Sequence, residues 1–197
     1  MNNEPFPPTL VIFSGLPGAG KSTLADRLAR ELRWPLLRID DLVVDLPADA
    51  GPAFWDEKAL VLLTLAEAQL VLGMSVILDS VFMGLDRIHA QELARTCSAA
   101  FRPIYCFVSD ESRWRQRVTQ RAEMLQNSAV ATWERIAHQR EHFQPWQPDT
   151  ALFVDGIQSI EQNYATIHAY VMGRNIHLKP MPIPAAGLKK GRYHEQY

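Results

Sequence analysis

One eight-residue run constrains this chain more than any other. Gly15-Leu16-Pro17-Gly18-Ala19-Gly20-Lys21-Ser22 fits the pattern G-x-x-x-x-G-K-[ST]. Before it stands Thr9-Leu-Val-Ile-Phe-Ser14, nearly all apolar, which suits a strand buried on both faces of a parallel sheet. After it Leu24, Leu28 and Leu32 recur every four residues among Asp26, Arg27, Arg30 and Arg33, so residues 21–33 read as an amphipathic helix. Strand, glycine-rich turn and helix in that order give the pattern its meaning. Backbone N–H groups turn inward toward phosphate oxygens, and the helix N-terminus adds its partial positive charge. Gly15, Leu16, Pro17, Gly18, Ala19, Gly20, Lys21, Ser22 and Thr23 form the expected nucleotide-binding segment. Lys21 would reach the β- and γ-phosphates, and the Ser22 hydroxyl would hold Mg²⁺.

The alternation continues along the chain. Leu36–Ile39 reads as a second strand, 54–72 as a long apolar helix stopped by Gly73, and Ser75–Asp79 as a third strand. Asp86–Cys97 reads as a helix and Pro103–Val108 as a fourth strand. Ser109 or Asp110 would cap the helix that runs toward Met124. A further helical stretch spans 130–143, and Ala151–Val154 is a fifth strand. Ser159 with Gln162 forms a capping box for a last helix, closed by Gly173. Five strands alternating with helices imply a three-layer α/β domain with a parallel sheet. The expected divisions are an arm at 1–8, one domain at 9–173 and a proline-containing tail at 174–197. The tail carries five Lys or Arg side chains against one Glu. The two consecutive helical stretches before strand five break the rhythm and read as a lid at about 112–130.

With 197 residues, 47% of them apolar, the chain can bury a core without staples. A net charge of −2 argues against a surface built wholly for nucleic acid. No apolar run reaches membrane-spanning length, and Met1–Pro5 has neither a basic nor an apolar leader region. Cys97 and Cys106 make no metal spacing and read as small core residues, as expected of a cytoplasmic protein. His138 and His142 are four apart, without an H-E-x-x-H pattern or an evident third ligand. There is no Asn-Lys-x-Asp run to read guanine and no Leu-Ser-Gly-Gly-Gln transporter signature. Neither a GTPase nor a transporter ATPase is therefore expected.

In open parallel sheets ligands sit at the carboxyl ends of the strands. Asp40 and Asp41 follow strand two and Asp79 ends strand three, so acidic groups join the phosphate loop on one rim. Transfer of a phosphoryl group to an alcohol often uses a carboxylate to take the proton. Asp40 or Asp41 is the candidate, with an N-cap role as the plain alternative. In an extended backbone they would face opposite sides, Asp40 with Arg38 and Asp41 with Leu37 and Ile39. Asp79 would hold Mg²⁺ directly or through water, or orient the acceptor; a strand-end turn acid is the alternative. Phe54, Trp55, Val81, Phe82 and Met83 flank these strand ends, as acceptor-pocket lining or as core. Arg117 and Arg121 share a helix face and could close over a triphosphate, or else form a solvated face with Glu111 and Glu123.

Together these residues resemble a group of P-loop kinases described as AAA-type ATP-binding kinases. The group is similar to chloramphenicol phosphotransferase, zeta-toxin kinases and polynucleotide kinase domains. The resemblance covers about residues 9–172 and rests on Gly15–Ser22, Leu37–Asp40, Gly73–Phe82 with Arg87, Arg117 to Arg121, Ser128-Ala129 and Val154-Asp155. It implies strand order 2-3-1-4-5, Asp40 as acceptor base, and Lys21 and Arg121 beside it in catalysis. Arg117 and Arg121 become lid arginines on the nucleotide, and Asp40, Asp41, Phe82 and Arg87 contact the acceptor. Many members carry Arg three residues after the base, where this chain has Val43. The expectation is transfer from Mg·ATP to a hydroxyl of a small molecule. The alternatives are a 5′-hydroxyl polynucleotide kinase, with nucleic acid as a less favoured partner, and a nucleotide-binding regulator without phosphotransfer.

Overall fold

The computed structural model describes residues 7–42, 51–125 and 132–174. Thr9–Ser14 (β1) leads through the glycine-rich turn into Lys21–Leu32 (α1). Leu36–Arg38 (β2) passes directly into a 3₁₀ turn at Ile39–Leu42. Pro52–Val71 (α2), Val76–Asp79 (β3), Leu85–Thr96 (α3) and Ala100–Phe107 (β4) follow. Glu111–Leu125 (α4), Trp133–His142 (α5), Leu152–Asp155 (β5) and Ile160–Val171 (α6) complete the order. The sheet is parallel throughout, in the order β2-β3-β1-β4-β5. That is the expected α/β architecture and strand order. The arm's residues 1–6, Val43, the lid's residues 126–130 with Ser128 and Ala129 among them, and the tail beyond Arg174 lie outside the described residues.

Alternation along β1 divides the core. Val11 and Phe13 join Leu28, Ile104 and Ile167 on the face covered by α1 and α6. Leu10 and Ile12 join Leu62, Ala66 and Ala90 on the face covered by α2 and α3. Every residue of β1 from Leu10 onward is buried, as a central strand covered on both sides must be.

The helix ends follow their sequence signals. Gly73 takes a φ of 76° and donates to the Leu70 carbonyl at 2.9 Å, closing α2. The Asp110 carboxylate accepts the Arg113 N–H at 3.0 Å, so Asp110 rather than Ser109 caps α4. Ser159 does the same for α6 through the Gln162 N–H at 3.2 Å. β4 starts at Ala100, three residues before the expected Pro103. β5 pairs with β4 only from Ile104 onward, so that side of the strand is open at Pro103 and tolerates it.

Candidate active site

The phosphate loop is shaped by its neighbours as much as by its own sequence. Gly15 has a φ of 133°, and a Cβ there would stand 2.0 Å from the Cys106 carbonyl oxygen on β4. Gly18 has a φ of 80°, and its Cβ would meet Val118 Cγ2 at 2.7 Å and Trp114 Nε1 at 3.0 Å on α4. The Trp114 indole also donates to the Pro17 carbonyl at 2.8 Å. The loop is thus clamped between a strand and the first half of the expected lid. Gly15→Ala should lower unfolding free energy by about 2–5 kcal/mol, since overpacking and a disfavoured φ act together. A shift of the urea midpoint at unchanged slope checks it.

Lys21 and Ser22 open α1 at the carboxyl end of β1, with Thr23 exposed beside them. The Lys21 ammonium donates to the Leu16 carbonyl at 3.2 Å, across the mouth of the loop. Asp79 ends β3 next to β1, with 5% of its surface exposed. Burial pushes its carboxyl above the usual carboxylate range. The Lys21 charge and a hydrogen bond from the Ser22 hydroxyl draw it back, and the Asp40 charge pushes it up again. Lys21, Ser22, Asp79 and Asp40 therefore share one electrostatic neighbourhood, assembled from three strand ends. A serine hydroxyl against a buried carboxylate is a hard oxygen pair that suits Mg²⁺.

The two adjacent acids are separated by a turn, not by strand alternation. The backbone leaves the extended conformation at Ile39, which is buried, and Asp40 and Asp41 occupy the 3₁₀ turn. Arg38 pairs with Asp41 at 3.7 Å, an i,i+3 contact that an extended strand would not make, and also with Asp26 on α1. The expectation that Arg38 and Asp40 share a face gives way to this geometry. Asp41 is held by Arg38. Asp40 is exposed and has no ion pair among the described residues.

Phe82 is a second correction. Its side chain is 1% exposed and belongs to the core beside Leu10, Ile12 and Leu78, so it does not line an open acceptor pocket. A φ of 48° turns the chain back at this residue. Its carbonyl accepts from Arg87 Nε at 2.8 Å and from Ser14 Oγ at 3.3 Å. Arg87 lies against two rings, 5.2 Å from the centroid of Phe143 and 4.7 Å from that of Trp146. Burial lowers its pKa to about 10, which leaves it cationic at neutral pH.

With that geometry in place, the match to known families decides the kinship. The AAA_33 family, an AAA domain, matches residues 10–146. The chain belongs to this AAA domain family. No curated protein matches it. Among solved structures, it is similar to the Mycobacterium tuberculosis APS kinase CysC in complex with AMPPNP and APS. The TM-score there is 0.63 at 21% identity, over 85% of this chain and 99% of that one. A gluconokinase from Sinorhizobium meliloti gives 0.59 at 16% identity, over 85% and 93%. Chaetomium thermophilum Kti12 in complex with ADP-AlF3 gives 0.61 at 17% identity, over 82% and 98%. At these identities the likeness is one of fold. Among the described residues no helix is long and apolar enough to cross a membrane.

In this AAA domain the arginines of α4 divide. Arg113 stays at its own cap, 3.5 Å from Asp110, and Arg115 lies 5.9 Å from the Trp133 ring. Glu111 pairs across to Arg140 on α5 at 2.6 Å, not with an arginine of α4. Arg117 donates to the Gly156 carbonyl at 2.7 Å, beside the Ala19 carbonyl of the phosphate loop. Arg121 is exposed and has no partner among the described residues. Two supports escaped the sequence reading. The Arg38 clamp shows only once the 3₁₀ turn is known. The Ser14 hydroxyl, buried at the end of β1, donates to the Val81 carbonyl at 2.8 Å and accepts from Trp146 Nε1 at 3.0 Å.

Proposed function

We propose that this protein is a kinase that transfers the γ-phosphoryl group of Mg·ATP to a hydroxyl of a small molecule. The observation that carries the reading is Asp40. A nucleotide-binding module needs the loop, Lys21, Ser22 and Asp79. An unpaired carboxylate at the next strand end, close enough to be felt at Asp79, is what an acceptor alcohol needs.

The loop's backbone N–H groups take the phosphates, and Lys21 exchanges the Leu16 carbonyl for phosphate oxygens. Ser22 and Asp79 would hold Mg²⁺, which neutralises charge on the transferring group. Asp40 receives the acceptor's proton as the acceptor oxygen bonds to the γ-phosphorus and the bond to the bridging oxygen breaks, releasing ADP. Arg87, cationic and set against Phe143 and Trp146, would as an acceptor contact favour anionic or strongly polar character. Arg117 and Arg121 lie on the helix that packs on the loop, and their charge would act as it closes.

APS kinase and gluconokinase carry the names of small-molecule acceptors, which favours this reading over a polynucleotide kinase. The test is ADP release in a screen of alcohols, nucleosides and 5′-hydroxyl oligonucleotides. Stimulation by a small alcohol supports the proposal. Stimulation by oligonucleotides alone, or ATP binding with no acceptor-dependent turnover, refutes it. Arg121→Ala should lower kcat more than it raises the KM for ATP, because its contact strengthens with the transferring charge. Steady-state kinetics at saturating acceptor read the split.

A further inference from the structure

Away from the rim, the last turns of α5 gather three metal-binding side chains. His138, Glu141 and His142 stand at i, i+3 and i+4, all exposed, and one ligand atom from each lies within 4.8 Å of the others. The two imidazoles meet edge to face with centroids 5.1 Å apart, and His138 Nδ1 is 4.0 Å from a Glu141 carboxylate oxygen. Residues three and four apart share a helix face, so the backbone of α5 already holds the donors together. Their order, H-x-x-E-H, inverts the H-E-x-x-H spacing and is itself a zinc-binding spacing of peptidases. Here it faces solvent and Glu141 stands among the donors, an arrangement for holding an ion rather than for hydrolysis.

The donor set selects the ion. Two imidazoles with one carboxylate suit zinc, cobalt, nickel or copper, whereas Mg²⁺ and Ca²⁺ prefer all-oxygen shells. The C-terminal end of a helix favours a cation, and Glu134, exposed one turn before His138, adds negative charge. The neighbouring cation Arg140 is engaged elsewhere, by Glu111 and over the Trp114 ring. The same turns lead into Phe143, whose ring stacks on Tyr105 and lies against Arg87.

We propose that His138, Glu141 and His142 form a binding site for one late first-row divalent ion of the zinc class, with water completing its coordination. An ion bridging consecutive turns would stiffen the end of a ten-residue helix that is otherwise held by Arg140 and Phe143. The site does not depend on the phosphate-loop reading.

Metal-stripped full-length protein, without nucleotide, tests it. Titration with ZnCl₂ by calorimetry should give one saturable site per chain. CoCl₂ should give a visible absorption band that zinc displaces, and zinc but not magnesium should raise the melting temperature. The double variant His138→Ala/His142→Ala should lose the site. Glu141→Gln should weaken it by roughly tenfold or more, the scale on which even ligand-orienting partners act. All three side chains are exposed, so the variants should keep the metal-free melting temperature; His142→Asn alone gives a second reading. Absence of saturable zinc binding, or zinc binding undiminished in the double variant and in His142→Asn, overturns the proposal.

Discussion

Asp40→Asn is expected to cut acceptor-dependent kcat by ~10²–10⁴, the usual worth of a positioned base, while ATP affinity stays within about threefold. The amide keeps the size and hydrogen-bonding reach of the carboxylate and loses only its basicity and charge. Asp40 is exposed in the 3₁₀ turn, so the change should leave stability nearly untouched. Its removal should also relieve the repulsion that Asp40 exerts on Asp79. Asp41→Asn should be much milder in kcat, because Asp41 already spends its charge on Arg38. Its effect should come through a looser turn and so appear partly in the acceptor KM. Initial rates with a responsive acceptor, together with ATP titration by calorimetry, separate the two. A severe loss from Asp41→Asn alone would move the base by one residue. Equal, large losses from both would mean that the turn presents the two carboxylates jointly.

The difference between those acids shows where local pattern stops being informative. The strand, glycine-rich turn and helix around Gly15–Ser22 were legible because every local signal there agrees with the fold. The caps at Asp110 and Ser159 and the stop at Gly73 were legible for the same reason. The turn at Ile39 was not. Leu36–Ile39 continues as a plausible strand, and what ends it is Arg38 reaching Asp26, twelve residues away in sequence, while Asp41 closes back on it. Phe82 was equally opaque. A non-glycine residue at positive φ carries no sequence mark, and the turn is held by bonds from Arg87 and from Ser14, 68 residues away. Trp114 carries no local mark of its role, and its indole bonds to the phosphate loop at Pro17, 97 residues away. In each case a long-range contact outvotes local propensity, and in each case the contact lies at the rim. The histidine pair was visible in the sequence. Its third donor is less plain, because H-E-x-x-H sets the acid after the first histidine, whereas Glu141 stands directly before the second.

Lys21→Ala is expected to reduce phosphoryl transfer by roughly 10³ or more, with the fold intact. The reasoning starts from what Lys21 does without nucleotide. Its ammonium makes one hydrogen bond, to the Leu16 carbonyl, and no salt bridge among the described residues. Losing one partly solvated bond costs stability on the order of 1 kcal/mol, so melting should shift by only a few degrees. The electrostatic consequence is larger. Asp79 is buried with its carboxyl already pushed upward, and Lys21 is the leading influence that pulls it back. Without Lys21 the carboxyl rises further, and the group that would share Mg²⁺ with Ser22 becomes harder to ionise just as the phosphates lose their cation. Lys21→Arg should rescue little, because a planar fork replaces a compact charge in a loop already clamped at Gly15 and Gly18. ADP release, ATP calorimetry and thermal melts on both variants check the argument. Turnover at the wild-type rate in Lys21→Ala would show that the loop does not hold the reacting phosphates.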